Sequence, residues 1–254
     1  MEYARLRECL ASDLARLREV AGGVDGTAPV PTCPGWTVTD LVGHVALVYL
    51  HKVECMVHGV RPPTWPPADL AEEARRQPLD LLDRAYRALT HEFDTRLPNE
   101  PADGWFEPDR TVGFWIRRMA HETLIHRIDA ELAAGAPLAP VPDDLAVDGL
   151  DEFLYVFVVY GTTAWPEEAR AVLAAADGQD VRLVTTGGVW LVRPTTGGVR
   201  VSEDPSQPVA TEVSGAPADL LRWVWGRAGD DAVAISGDRT RVEPLRAIFR
   251  LVAQ

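Results

Sequence analysis

All six histidines of the chain (His44, His51, His58, His91, His121, His126) and all three cysteines (Cys9, Cys33, Cys55) lie in the first 126 of its 254 residues. Any metal or general-base chemistry that uses histidine therefore belongs to the first half. Glu122 and His126 stand four residues apart. On a helix, at ~100° per residue, their directions differ by only ~40° and they sit one turn apart, so a carboxylate and an imidazole can share one ion. The same spacing also serves an ordinary surface pair. His44 lies within an apolar run from Leu41 to Leu47. An imidazole drawn out of water there needs a partner, which either a core hydrogen bond or a metal can supply. Two histidines and one glutamate on facing helices of a bundle are a recognised donor set for a divalent ion.

The remaining candidates are weaker. His51 and His58 follow His44 at seven-residue steps, each ~10.5 Å along a helix, too far to share an ion. His121 points ~100° away from Glu122. These three and His91 are expected to be solvated or at a rim. Asp129 stands near one turn past His126, where it either orients the ring as an acceptor or pairs with a surface arginine. Cys33 precedes a helix N-terminus, a place that activates thiols, but no base neighbours it in sequence. No P-loop, dinucleotide fingerprint or nucleophile elbow occurs.

The elements that must position these residues are helical in the first half. Tyr3, Leu6, Leu10, Leu14, Leu17 and Val20 recur at helical steps up to Gly22-Gly23. A second helix is expected after Cys33-Pro34-Gly35-Trp36, with Thr37 as N-cap and Asp40 completing a variant of the capping box. A third spans roughly Asp69 to Leu97, with Pro78 a point of breakage, and a fourth spans Phe114 to Ala134, ended by Gly135. Four such helices make a bundle the economical solution. A fifth, roughly Asp143 to Tyr160, is so apolar that it should be buried against them. The second half changes period. VRLVTT, VWLVRP, VRVSE and VAISG are short β-branched segments separated by Gly-Gly and Asp/Pro turns, and Pro217–Gly226 and Val242–Leu251 read as helices. The expected organisation is a helical domain over 1–161 and an α/β domain over 162–254, a two-domain α+β chain.

Composition narrows the class. Lys and Arg total 25 against 38 Asp and Glu, a formal charge of −13. Such an acidic chain argues against a sequence-independent grip on nucleic acid or an anionic membrane. Three widely spaced cysteines form neither a disulfide framework nor a paired zinc motif, and the longest apolar run, Phe153 to Gly161, is short of a membrane span. A cytoplasmic protein, monomeric or weakly dimeric, is expected.

VPTCPGWTVTDLVGHVA (Val30–Ala46) together with RRMAHETLIHRIDAE (Arg117–Glu131) resembles the mycothiol-dependent maleylpyruvate isomerase family. Its N-terminal domain is a DinB-like metal-binding four-helix bundle, and its C-terminal domain is sterol-carrier-like. DLLRWVWGRAG (Asp219–Gly229) resembles the family's Trp-Gly-Arg segment. The resemblance implies that His44, Glu122 and His126 bind a divalent metal, usually zinc. It also implies that Arg227 is a C-terminal-domain arginine facing the site, although a helix-end role beside the last carbonyls is as consistent with its position. Mycothiol is implied as cosubstrate. Arg outnumbers Lys 24 to 1, as in GC-rich actinobacterial coding, and the Cys-Pro-Gly-Trp-Thr-Val-Thr-Asp form and the His-Arg-Ile-Asp ending resemble an actinobacterial branch of the family more closely than the isomerase proper.

The expected function is thus an enzyme with an open metal position. A low-molecular-weight thiol, activated as thiolate, attacks a small electrophile there, as isomerase or S-transferase. Arg227 would hold a carboxylate bidentately. A non-catalytic protein binding metal and a small apolar ligand is the alternative. An iron oxygenase built on the same two-His-one-carboxylate set is a third.

Overall fold

The computed structural model describes residues 1–204 and 206–253. The chain divides into two compact units, Met1–Ala139 and Pro140–Gln254. Among the described residues no helix is long and apolar enough to cross a membrane.

The first unit consists of α1 (Tyr3–Gly22), α2 (Val38–His58), α3 (Ala68–Arg76), α4 (Pro78–Thr95) and α5 (Val112–Ala134). The apolar steps of α1 bury Leu6, Leu10, Leu14 and Leu17 along α5, while α2 packs on α3, α4 and α5. Thr37 caps α2 as the sequence implies. Its hydroxyl accepts from the Asp40 backbone N–H, and the Asp40 carboxylate accepts from the Thr37 backbone N–H at 2.9 Å. The helical stretch expected over 69–97, with Pro78 as its point of breakage, is two helices, α3 and α4. Gln77 separates them, and Pro78 occupies the first turn of α4, where its missing N–H costs nothing. Gly43 lets α3 approach α2 closely: a Cβ there would lie 3.0 Å from the Ala74 carbonyl oxygen. This close approach occurs one residue before His44.

The second unit opens with a continuous helical stretch made of α6 (Asp143–Glu152), a π-helical segment (Phe153–Val159) and α7 (Tyr160–Ala164). It continues with α8 (Pro166–Ala176), β1 (Val181–Thr185), β2 (Gly188–Thr195), β3 (Gly198–Ser202), β4 (Thr211–Ser214), α9 (Pro217–Val224), β5 (Ala234–Gly237) and α10 (Val242–Val252). The sheet order is β3-β2-β1-β4-β5. Only the β1–β4 pair is parallel, and the two Gly-Gly turns close the β1–β2 and β2–β3 hairpins.

The division between the two compact units falls at Ala139/Pro140. The apolar run FLYVFVVY is buried, but by its own unit. Phe153 lies 4.7 Å from the Trp225 ring and 5.2 Å from Phe249, and Phe157 lies 5.2 Å from Trp225. Aromatic partners supplied by α10 and the end of α9 cover a helix that is apolar all round.

Candidate metal centre

The site is built on α2, α5 and the loop between α1 and α2. That loop is held by backbone bonds, Val30 N–H to Trp36 O at 2.9 Å and Trp36 N–H to Cys33 O at 3.0 Å. Gly35 supplies the left-handed residue the turn needs, with φ +85°. The loop sets the Trp36 ring 4.7 Å from His44 and 6.2 Å from His126. It also carries the Thr32 hydroxyl and the Cys33 thiol to Asp129, at 2.5 Å and 3.5 Å.

His44, Glu122 and His126 come together. Glu122 Oε1 lies 3.2 Å from His44 Nε2 and 3.3 Å from His126 Nε2. All three donor atoms lie within 4.8 Å of one another. Two ligands each ~2.0–2.1 Å from a tetrahedral zinc ion stand about 3.3 Å apart, so these separations match two edges of such a polyhedron. His44 is not fully buried: its side chain retains 36% exposure. The imidazole, expected on or near the buried stripe of α2, stands at its margin, open on one side. A second group of donors, Cys33, His126 and Asp129, meets the same distance criterion, and it shares His126 with the first.

Behind the donors stand two charged groups that fix their chemistry. Asp129, fully buried, accepts from His126 Nδ1 at 3.0 Å. Of the two roles open to Asp129 in the sequence, this bond is the orienting one, and it turns Nε2 toward Glu122. Arg118, one turn before Glu122 on α5 and also buried, donates to Glu122 Oε2 at 2.7 Å. Arg118 carries the part of the site that sequence reasoning missed. The Arg-x-x-x-Glu spacing was its available signal, indistinguishable there from a surface helix pair. With Oε2 occupied by the guanidinium, Oε1 faces the two imidazoles.

Burial alone would raise the Glu122 carboxyl. The His126 charge, hydrogen bonds from His126 and His44, and the Arg118 charge outweigh it and hold the group well below its ordinary value. Burial likewise works against a charged His126. Glu122 and Asp129 overcome it and push the imidazole up to about 9. Without an ion, a proton therefore occupies the space between His126 and Glu122 at neutral pH, and a cation entering there displaces it.

His121 corrects the expectation of a solvated residue. It is 1% exposed, because α5 is covered on nearly every side and the face away from Glu122 meets α1. The same helix buries Arg127, which bonds Asp13 of α1 at 3.1 Å and Glu131 at 2.7 Å. Burial there raises the Asp13 carboxyl to about 6, against the pull of Arg127. His58 pairs with Glu54 on an exposed helix end, and His91 is exposed.

Arg227 belongs to the second unit. It follows the left-handed Gly226 (φ +73°) after α9. Its backbone N–H bonds the Arg222 carbonyl at 2.7 Å. Its Nη1 donates to the Trp225 carbonyl at 2.7 Å, with the guanidinium 5.9 Å from the Trp225 ring. These contacts agree with a residue that terminates α9.

Comparison with known proteins places both units. Residues 7–131 match the mycothiol maleylpyruvate isomerase N-terminal domain, and residues 144–244 match the C-terminal domain of the same family. A crystal structure of a mycothiol-dependent maleylpyruvate isomerase is similar in fold at 17% identity, covering 94% of this chain and 95% of that chain with a TM-score of 0.63. A histidine-to-alanine mutant of a mycothiol-dependent maleylpyruvate isomerase covers the same shares at 15% identity and a TM-score of 0.61. The sterol carrier protein domain 2 of Helicoverpa armigera covers 46% of this chain and 95% of that chain at 12% identity; its TM-score of 0.33 is too low to carry an argument. Among curated proteins, none matches the sequence. The helical first unit, the helix-and-sheet second unit and the two family domains matched in order identify the chain as a member of the mycothiol-dependent maleylpyruvate isomerase family.

Proposed function

We propose that this chain is a metal-dependent enzyme of its family, with zinc as the ion and mycothiol as the thiol that attacks a small electrophilic substrate. The reaction is an isomerisation through a transient thiol adduct or an S-transfer that retains it. The observation that carries this reading is the convergence of two imidazole nitrogens on a single Glu122 oxygen, with Asp129 and Arg118 completing the charge pattern behind them. His44, Glu122 and His126 would hold the ion. When bound, the ion supplies the acidity that converts a thiol to its nucleophilic thiolate near neutral pH.

The rest belongs to the side chains. Asp129 keeps the His126 Nδ1 proton and so leaves Nε2 as a neutral donor. Arg118 neutralises one oxygen of Glu122 and restrains the carboxylate from rotating. Trp36 lies against both imidazoles and excludes water from that side. The exposed edge of His44 is where a thiol has access. For a divalent ion, the charges of Glu122, Asp129 and Arg118 leave a net +1, and a thiolate brings the sum to zero. A neutral carbonyl would leave it at +1, in surroundings that solvate charge poorly. Electrostatics thus favours the thiol as anion. Arg227 would bind a carboxylate of the thiol or the substrate through two parallel N–H bonds, a role resting on its match to the family's Trp-Gly-Arg segment.

The experiment is a screen of small electrophiles against zinc-loaded protein, with and without mycothiol. Turnover that requires both the protein and mycothiol is the expected result. Turnover unchanged by omitting mycothiol, or none with any electrophile while metal is bound, would overturn the thiol reading.

A further inference from the structure

The chain contains 24 arginines and a single lysine, Lys52. Arginine supplies the cation of pairs such as Arg18–Asp83 and Arg118–Glu122, whereas Lys52 makes no ion pair among the described residues. It extends from α2 with Nζ 4.5 Å from the ring centroid of Trp115 on α5. The indole N–H of Trp115 is spent on the Asp103 carbonyl at 3.2 Å, so the ring offers Lys52 its face. Nζ also lies 3.0 Å from His51 Nδ1, and Cys55 Sγ is 3.7 Å from that same nitrogen. Trp65 stands edge-on to His51 at 5.4 Å. Its indole Nε1 is buried without a hydrogen-bond partner.

An arginine cannot lose its proton in a protein, whereas a desolvated lysine can, which is why buried lysines serve as nucleophiles. Lys52 is the one basic side chain of ordinarily high pKa in this chain that can become neutral, and no ion pair to a carboxylate holds its charge. We propose that Lys52 is a nucleophilic amine, a second reactive site of the first unit, at which a small aldehyde or α-oxo acid condenses to an imine.

Burial depresses the amine to about 8. Cys55 and Glu122 pull it upward, and Arg118 and Arg61 push it down. His51, held to about 4 chiefly by its own burial, stays neutral and its Nδ1 accepts a hydrogen from Nζ. The nitrogen lone pair of the neutral amine adds to the carbonyl carbon. One C=N bond then replaces the C=O bond, and the oxygen leaves as water with the two amine hydrogens. The unsatisfied Trp65 N–H is a donor for the carbonyl or carboxylate oxygen of the incoming compound. Neither the thiol nor the metal takes part, so this inference stands apart from the function proposed above.

The test is reductive trapping on the wild-type protein with glyoxylate and cyanoborohydride, without mycothiol, followed by peptide mass mapping across pH 6–10. The expected product is a carboxymethyl group on Lys52. Its rate should level off above a midpoint near 8 and at pH 7 exceed that of Nα-acetyllysine by about tenfold or more, as the larger neutral fraction requires. Lys52→Arg, with an unchanged melting temperature, should keep only labelling at the N-terminal amine. Two results would overturn the proposal: labelling confined to the N-terminal amine of the wild-type protein, or Lys52 labelling that still climbs at pH 10 as an ordinary lysine does.

Discussion

Asp129 Oδ2 lies 3.0 Å from His126 Nδ1, and this bond decides which face of the imidazole meets Glu122. The carboxylate is held in turn by the Thr32 hydroxyl and the Cys33 thiol. The Cys-Pro-Gly-Trp loop thereby acts on the site through Asp129 as well as through Trp36. Asp129→Asn keeps the size of the side chain but removes the charge that stabilises the oriented ring. Metal affinity, measured by competition with a chromophoric chelator, should fall by about 10–100-fold. Wild-type affinity would show that the ring needs no such support.

In the proposed site Glu122 is the sole anionic ligand. Purified Glu122→Ala should lose its divalent ion on dialysis, while His121→Ala should keep it and instead lose on the order of 1–3 kcal/mol of stability from its buried site. Metal analysis beside a denaturant titration checks both. Ion retained in Glu122→Ala and lost in His121→Ala would turn the wrong face of α5 toward the site.

The metal-free protein should be destabilised as pH rises between 7 and 8. His126 titrates near 9 in the folded chain against about 6.5 unfolded. Its stabilisation is complete below the unfolded value and is lost as pH rises toward the folded one, with a slope approaching about 1.4 kcal/mol per pH unit. Other shifted groups act outside that window. Asp13, raised to about 6, and His51, lowered to about 4, exert their effects below it. Lys52, lowered to about 8, opposes the loss only above it. Thermal melts in chelator should show the decline, and saturating zinc, which takes the place of the proton, should remove it. A flat metal-free profile would contradict the His126–Glu122 coupling.

Much of the centre was legible because helical spacing is a strong constraint. The four-residue step from Glu122 to His126 and the capping box at Thr37-Asp40 both translate directly into geometry. The burial of α5 was not legible. RRMAHETLIHRIDAE mixes charge and apolar residues all round, so no stripe reveals that Arg118, His121 and Arg127 are all inside. Arg118 is met by Glu122 one turn away, and Arg127 by Asp13 of α1 and by Glu131, and such pairing leaves no periodic trace. The π-helical run escaped for a related reason: its apolarity announces burial without naming the partner. β4 and α8 extend the sequence reading. β4 has only four residues, with Val213 its single apolar side chain.

Arg227→Lys should separate clamping from structure. An ammonium cannot reproduce a planar two-point contact, and a charged hydrogen bond is worth about 1.5–3 kcal/mol, so kcat/KM should fall by roughly 10–100-fold. Metal content should not change. Wild-type turnover would return Arg227 to the role of terminating α9 beside the Trp225 carbonyl.

Binding of a thiol sulfur to an ion held by His44, Glu122 and His126 is read from the absorption spectrum of the cobalt-substituted protein during titration with mycothiol. Sulfur ligation should give a sulfur-to-cobalt charge-transfer band that saturates at one thiol per chain and fails to develop in Glu122→Ala. About one proton should be released per site where a neutral water is displaced. A cobalt spectrum unchanged at saturating mycothiol would contradict sulfur ligation.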